Sequence, residues 1–187
     1  MDLTITVSGL HGTGKSTYAK NVAQTFSLHY ISAGEIFRQT ATERKLSITE
    51  LSREAEESEE IDRLIDERTK GEIEKGGVVV DALLAAWIAK DYPTLKIYLS
   101  ASFETRVKRI ASRDMVPYSE AKEVTTVREG IERRRFKKLY GIDLDDLSIY
   151  DLVLNTDLLP IESNIEIINT FVRGYIKSRG GKKNVIS

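Results

Sequence analysis

The sequence predicts an α/β fold in which about five parallel strands form one sheet between helices, a three-layer arrangement. Three observations lead there. Short apolar runs alternate with segments of helical periodicity along most of the 187 residues. The first run, with Leu3, Ile5 and Val7 alternating, opens directly into the glycine-rich stretch Gly9-Leu10-His11-Gly12-Thr13-Gly14-Lys15-Ser16-Thr17, and a helical pattern follows it. No internal repeat or low-complexity segment interrupts the alternation, so one domain over residues 1–187 accounts for the length.

The glycine-rich stretch has the spacing G-x-x-x-x-G-K-[ST], which between a strand and a helix makes a phosphate cradle. Its glycines let successive amide N–H groups converge on one anion. Lys15 is then set to reach the outer phosphates of a nucleoside triphosphate, and the Ser16 hydroxyl to join the shell of a magnesium ion. His11 reads as an unusual residue at an exposed loop tip that tolerates many side chains. Tyr18, Ala19, Val22, Ala23 and Phe26 give the next helix an apolar face, and its N-terminus points a favourable dipole at the loop. His29-Tyr30-Ile31 reads as the second strand, ending at Ser32-Ala33-Gly34, with Arg38 one turn into the following helix. Ligands collect beyond the carboxyl ends of strands in an open parallel sheet, so Arg38 is placed for a second anion, and its fork suits a phosphate monoester.

From Ser47 to about Lys75 the chain is helical in pattern and strongly charged, opening with the capping box Ser47-Ile48-Thr49-Glu50. Ile61, Leu64 and Ile65 form only a narrow apolar stripe, which predicts a loosely packed flap; residues 35–75 read as an acceptor-binding insert. Asp62 and Asp66, four apart, face either that pocket or solvent. After Gly76-Gly77, Val78-Val79-Val80-Asp81 is an apolar strand whose terminal carboxylate can support magnesium or cap a helix over Ala82 to Lys90, with Trp87 in the core or pocket wall.

Leu95 to Leu99 forms a fourth strand, and Ser102 caps a helix carrying Arg106, Arg109 and Arg113 on one face. The link Asp114 to Tyr118 leads into a long helix, Ser119 to about Tyr140, on which Arg128, Glu132 and Arg135 share a face. Residues 106–135 thus read as a lid that closes cations over transferring phosphates. Asp151 to Asn155 makes a fifth strand. Ile161, Ile165, Ile168, Val172 and Ile176 mark a closing helix, and residues 180–187 a polar, frayed tail.

Composition narrows the partners. A formal net charge of -1 offers no general attraction to nucleic acid or to an anionic membrane, and the cluster Arg133 to Lys138 is interleaved with carboxylates. The chain has no cysteine, which excludes disulfides, thiolate metal sites and a cysteine nucleophile. The first strand begins at once, leaving no room for a leader, and no run has the length of a membrane span. A cytoplasmic monomer acting on small-molecule nucleotides is the expectation.

A phosphate loop, a magnesium-supporting aspartate, an arginine near the acceptor and an arginine-rich lid suit phosphoryl transfer to an acceptor that is itself a phosphate, whose oxygen needs no strong base. A hydroxyl acceptor, with Asp81 as base, and an ATP-gated RNA or assembly factor using Arg133 to Lys138 are the other readings. Ile31 to Arg38, Val79 to Trp87, the Arg106/Arg109/Arg113 helix, and Tyr140-Gly141-Ile142-Asp143 with Tyr150 to Thr156 together resemble archaeal-type cytidylate kinases, members of the nucleoside monophosphate kinase family of P-loop kinases. The resemblance covers about residues 3 to 158. It implies the P-loop kinase fold, with ATP and Mg2+ converting CMP, and dCMP, to the diphosphate. By it Gly9 to Thr17 hold ATP, Ser32, Gly34, Arg38 and Asp81 serve the acceptor, and Lys15, Arg38, Arg109 and Arg113 act on the transferring phosphates. Arg128, Glu132 and Arg135 are similar to an acceptor-contacting set in bacterial relatives. Many relatives read acid-Gly-Arg-Leu where this chain has Asp81-Ala82-Leu83-Leu84, and bacterial relatives carry a serine where Ala33 stands. Leu83 cannot make the contact that arginine makes.

Overall fold

The computed structural model describes residues 3–47, 50–51, 54–55 and 58–181. Its elements are β1 (Thr4–Ser8), α1 (Lys15–Phe26), β2 (His29–Ser32), α2 (Ala33–Arg44), α3 (Glu60–Lys75), β3 (Val78–Asp81), a short α4 (Ala85–Ile88), β4 (Thr94–Ser100), α5 (Phe103–Asp114), α6 (Tyr118–Tyr140), β5 (Leu152–Asn155) and α7 (Ile161–Gly181). The five strands pair in the order β2-β3-β1-β4-β5, and every pairing is parallel. Parallel strands need crossovers, and the helices supply them on both faces.

The two-residue period of a strand divides the core. Ile5, Val7, Val79, Leu95, Ile97 and Leu99 point to one face, where they pack with Tyr18, Val22 and Ala23 of α1 and Ile168 and Val172 of α7. Val78 and Val80 point to the other, against Ile73 of α3 and Ala85 and Ala89 around α4. Edge strand β5 alternates half-buried Leu152 and Leu154 with exposed neighbours, so it covers the core on one side only. Ile161 is 51% exposed, so the packing stripe of α7 starts at Ile165.

Several predicted boundaries shift. The helix expected from Ala82 to Lys90 shrinks to Ala85–Ile88, capped at Leu84 without a side-chain bond. Asp81 does not cap it, because its carboxylate is drawn into the sheet's carboxyl edge by two hydroxyl donors. The segment predicted as helical from Ser47 is helical at Glu50, Leu51, Glu54 and Ala55 and again in α3 from Glu60, whose N–H donates to Ser58 Oγ at 3.1 Å. Ser47 and Glu50 exchange the reciprocal bonds of a capping box, at 2.8 Å and 3.2 Å, while Ile48 and Thr49 lie outside the described residues. Of the narrow stripe, Ile61 is essentially inaccessible and packs with Leu51 and with Ala41 and Phe37 of α2, while Leu64 and Ile65 are half-buried. Helix α7 runs to Gly181, and the rest of the predicted tail, residues 182–187, lies outside the described residues.

Helices α1, α2 and α5 end on Ser27, Lys45 and Met115, all in the left-handed conformation more often filled by glycine. Ile97 sits on β4 with no solvent exposure in the main core. Ile97→Ala is expected to lower the unfolding free energy by about 2–5 kcal/mol. Urea titration should show the midpoint falling with an unchanged slope.

Candidate active site

The turn from β1 into α1 is built by glycine. Gly9 has φ +147°, and a Cβ there would lie 2.3 Å from the Leu99 carbonyl oxygen of β4. Gly12 has φ +82°, and a Cβ there would lie 2.6 Å from the Arg106 carbonyl oxygen of α5. Backbone therefore packs on backbone at both places, and no side chain fits. The Leu10 carbonyl accepts from the Thr13 hydroxyl at 2.9 Å and from Lys15 Nζ at 3.1 Å, closing the loop on itself. Gly14 caps α1 without a side-chain bond, which leaves the first-turn N–H groups for an anion. Burial pulls the Lys15 ammonium below the usual lysine range, against Asp81 and Glu132, which hold it up. A bound polyanion acts in the same sense as those carboxylates.

At the carboxyl edge of the sheet, Ser16 Oγ donates to Asp81 Oδ2 at 2.6 Å and Tyr30 Oη donates to the same oxygen at 3.0 Å. Burial, then Asp81, pushes the Tyr30 phenol up to about 12, so it stays a donor. Register explains the meeting: Val7 of β1 and Ser32 of β2 both pair with Asp81. The set fits magnesium, a hard ion that takes one or two protein oxygens and fills its other positions with phosphate and water. Among the described residues no cluster of three His, Cys, Asp or Glu side chains forms a protein-only cage.

The three arginines of α5 part company. Arg106 is buried, pairs with Glu129 of α6 through both guanidinium nitrogens, and donates to the His11 carbonyl at 3.0 Å. Arg109 donates to the hydroxyl and carbonyl of Thr156, each at 2.9 Å, and to Gly12 O at 3.4 Å. Arg113 is exposed and grips Asp114 at 2.7 and 2.8 Å. They share a helix face but not one free cationic surface, because carbonyls and carboxylates lie within reach of each.

On α6, Glu132 accepts from Arg128 Nε at 3.1 Å and bonds His11 Nε2 at 2.8 Å. Burial pushes the Glu132 carboxyl up, but His11 and Arg128 outweigh it and hold it below the ordinary range. His11 is thus no tolerant tip; it joins the loop to α6. Arg135 turns the other way, its Nε 3.2 Å from Asp62 Oδ2 on α3. One turn further along α3, Asp66 accepts from Tyr140 Oη at 2.5 Å. Two clefts of about 310 and 490 Å3 share Asp66, Glu67 and Tyr140, and no loop residue lines either.

At the start of α2 Arg38 is exposed, with its guanidinium 3.5 Å from where a Gly34 Cβ would stand. Ser32 Oγ accepts from Glu35 N–H at 3.1 Å and so caps α2. Trp87 and Leu83 flank a cluster of Leu84, Phe136 and Leu144 that seats α6 on the segment after β3. Arg133 pairs with Asp145 at 2.6 Å, which takes one cation out of the basic cluster.

Tyr30, Thr156 and Glu129 were not singled out from sequence. Glu129 and Glu132 fall on the buried stripe Ala121, Thr125, Glu129, Glu132 and Phe136, whose helical spacing was the available signal. Tyr30 and Thr156 carried none, since each acts through strand register.

The sheet order, the glycine-built loop and the flanking helices make this a P-loop kinase fold. Solved structures agree on the fold: an uncharacterized protein from Eubacterium ventriosum superposes with a TM-score of 0.72 at 16% identity, covering 93% of this chain and 99% of that one. A shikimate kinase from Bacteroides thetaiotaomicron gives 0.64 at 14% identity over 94% and 98%. Sequence is more specific. Residues 4–158 match the profile of the Cytidylate kinase-like family, and the chain belongs to that family. A cytidylate kinase of Staphylothermus marinus is 47% identical over 92% of this chain and 98% of its own length, and one of Desulfurococcus amylolyticus is 42% identical over 95% and 96%.

Burial raises the Asp66 carboxyl from its ordinary 3.8 to about 6, against the Tyr140 bond. The folded state then holds a proton that the unfolded chain has released, so this group's contribution is present below pH 3.8 and is lost as pH rises through about 6. Chemical denaturation should show wild type losing stability relative to Asp66→Asn across that interval and a constant difference above it.

Proposed function

We propose that the chain transfers the γ-phosphoryl group of ATP to CMP, and to dCMP, giving ADP and the nucleoside diphosphate. The single observation that carries this reading is the 47% identity to a cytidylate kinase across nearly the whole of both chains. The chemistry of the site supports it. The acceptor oxygen of a nucleoside monophosphate is anionic near neutral pH, so the reaction needs positioning and charge neutralisation rather than a strong base. Loop N–H groups from Gly9 to Thr17 and the start of α1 hold the donor phosphates, and Lys15 leaves the Leu10 carbonyl to follow the charge. Ser16 and Asp81 would hold Mg2+, the carboxylate steadied by Tyr30, and the ion would supply neutralisation of phosphate charge.

Arg38, exposed at the start of α2 beside Gly34, takes the acceptor phosphate, with Ser32 fixing the helix that carries it. Arg109, on leaving Thr156, and Arg113, on leaving Asp114, would reach over the transferring group from the lid, residues 106–135, while Arg128 and Glu132, with Arg135 once it leaves Asp62, would serve the acceptor. Residues 35–75 form the acceptor-binding insert of a single domain. A monomer acting in the cytoplasm, where its nucleotides are, belongs to the same reading.

A coupled assay of ADP formation over CMP, dCMP, UMP, AMP and GMP tests the reading. CMP and dCMP should give the highest kcat/KM; AMP or UMP equal to CMP would refute the cytidylate assignment. Arg38→Ala should raise KM for CMP about tenfold or more through loss of a charged hydrogen bond, with KM for ATP nearly unchanged. Equal losses for both substrates would contradict its role.

A further inference from the structure

His11 stands between Leu10 and Gly12 in the phosphate loop, and binding phosphates through backbone N–H groups gives its side chain no task. The imidazole is engaged all the same. Its Nε2 lies 2.8 and 3.0 Å from the two carboxylate oxygens of Glu132 on α6, and the two side chains are only 22% and 12% exposed. The backbone of His11 reaches the same helix by a separate route, since its carbonyl accepts from Arg106, which pairs with Glu129. Helix α6 is therefore anchored to the loop without the imidazole, and the bond between His11 and Glu132 can break while that anchor holds.

Charge decides when it breaks. Glu132 acts on the Lys15 ammonium as well as on His11, so its carboxylate stands within the field of the loop. A triphosphate held by the loop N–H groups brings several negative charges to the same place. A carboxylate facing them must take a proton or move. His11 and Arg128 hold the Glu132 carboxyl below its ordinary range, which opposes the proton and leaves movement. Arg128 belongs to α6 itself, bonds Glu132 at 3.1 Å and is largely exposed, so it can travel with the carboxylate.

We infer that His11 is a positioning residue that acts through Glu132: it holds this carboxylate against the loop until donor phosphates displace it, so that the acceptor nucleotide gains Glu132 only once the donor is bound. The inference rests on CMP being the acceptor and on Glu132 serving it. An acceptor arriving first has to break the His11 bond itself, whereas one arriving second finds Glu132 released. Donor and acceptor thus tighten each other's binding by one common factor, as linkage requires. A hydrogen bond to a charged group sets that factor at about tenfold or more.

The test titrates CMP by calorimetry into wild type, His11→Ala and His11→Gln, each with and without a saturating β,γ-imido analogue of ATP and Mg2+. His11 is not among the residues of positive φ, so alanine strains no backbone, and glutamine keeps an N–H donor. In wild type the analogue should tighten CMP about tenfold or more. In His11→Ala, CMP alone should bind nearly as well as it binds wild type with the analogue, bringing the ratio to about one, and His11→Gln should restore the ratio. A loop merely weakened by the substitution would lose analogue affinity and keep the ratio, and that result overturns the inference. A wild-type ratio of about one overturns it too. The unaltered protein gives a second readout, because the chain has two histidines, His11 and the exposed His29. At constant pH the His11 imidazole resonance should move when the analogue alone is added. A His11 signal that the analogue leaves in place overturns the inference even if the variants melt early. No CMP binding in either condition, with the His11 signal still responding, is instead the failure of the cytidylate reading.

Discussion

The buried ion pair between Arg106 and Glu129 holds the rest of the site in place. It locks α5 to α6, and the same guanidinium donates to the His11 carbonyl, so three segments meet at one cation. Removing either partner would strand a buried charge, at a cost of about 3–5 kcal/mol. The glycine at position 12 is a consequence of that contact rather than an independent feature. It must be glycine because Arg106 brings the α5 backbone to within a methyl group's reach of the loop. With α5 fixed there, α6 lies across the loop, and Glu132 meets His11.

The two sides of the candidate site are built differently. Around the loop, the shape is set by backbone: two glycines, a helix N-terminus without a side-chain cap that carries Ser16, and a strand register that sets Tyr30 beside Asp81, whose Oδ2 accepts from both. Between α2, α3 and α6 it is set by long side chains from separate helices, Arg38 on α2, Asp62 on α3 and Arg135 on α6, the last two paired at 3.2 Å. Backbone geometry changes little with a ligand, whereas side chains on separate helices move with those helices. Rigidity thus belongs to the glycine-built loop, and adaptability to the side chains carried by α2, α3 and α6.

The same division explains what could be read from the sequence. The loop, the order of strands and helices, and the carboxylate ending β3 were legible because each rests on local spacing. The boundary that moved, the shortened α4, was decided by the tertiary partners of Asp81. The pairings Arg106–Glu129, Arg109–Thr156 and His11–Glu132 join residues 23 to 121 positions apart, and no local pattern encodes which partner a charge will find. Helical spacing correctly put three arginines on one face of α5; it could not say that one would be buried, one tied to Thr156 and one turned to solvent.

The sheet order has a consequence for how the chain comes into being. Strand β1, at the centre, is flanked by β3 and β4, so Thr4 waits for Val78 and Thr94. Neither neighbour exists until about half of the polypeptide has been made. At a synthesis rate of about 5–20 residues per second, this apolar strand is without its pairing partners for roughly 4–20 s. During that time its protection must come from α1 folding back on Ile5 and Val7, or from a chaperone. The helix that crowns the phosphate loop is thereby the earliest cover available to the most vulnerable segment of the nascent chain.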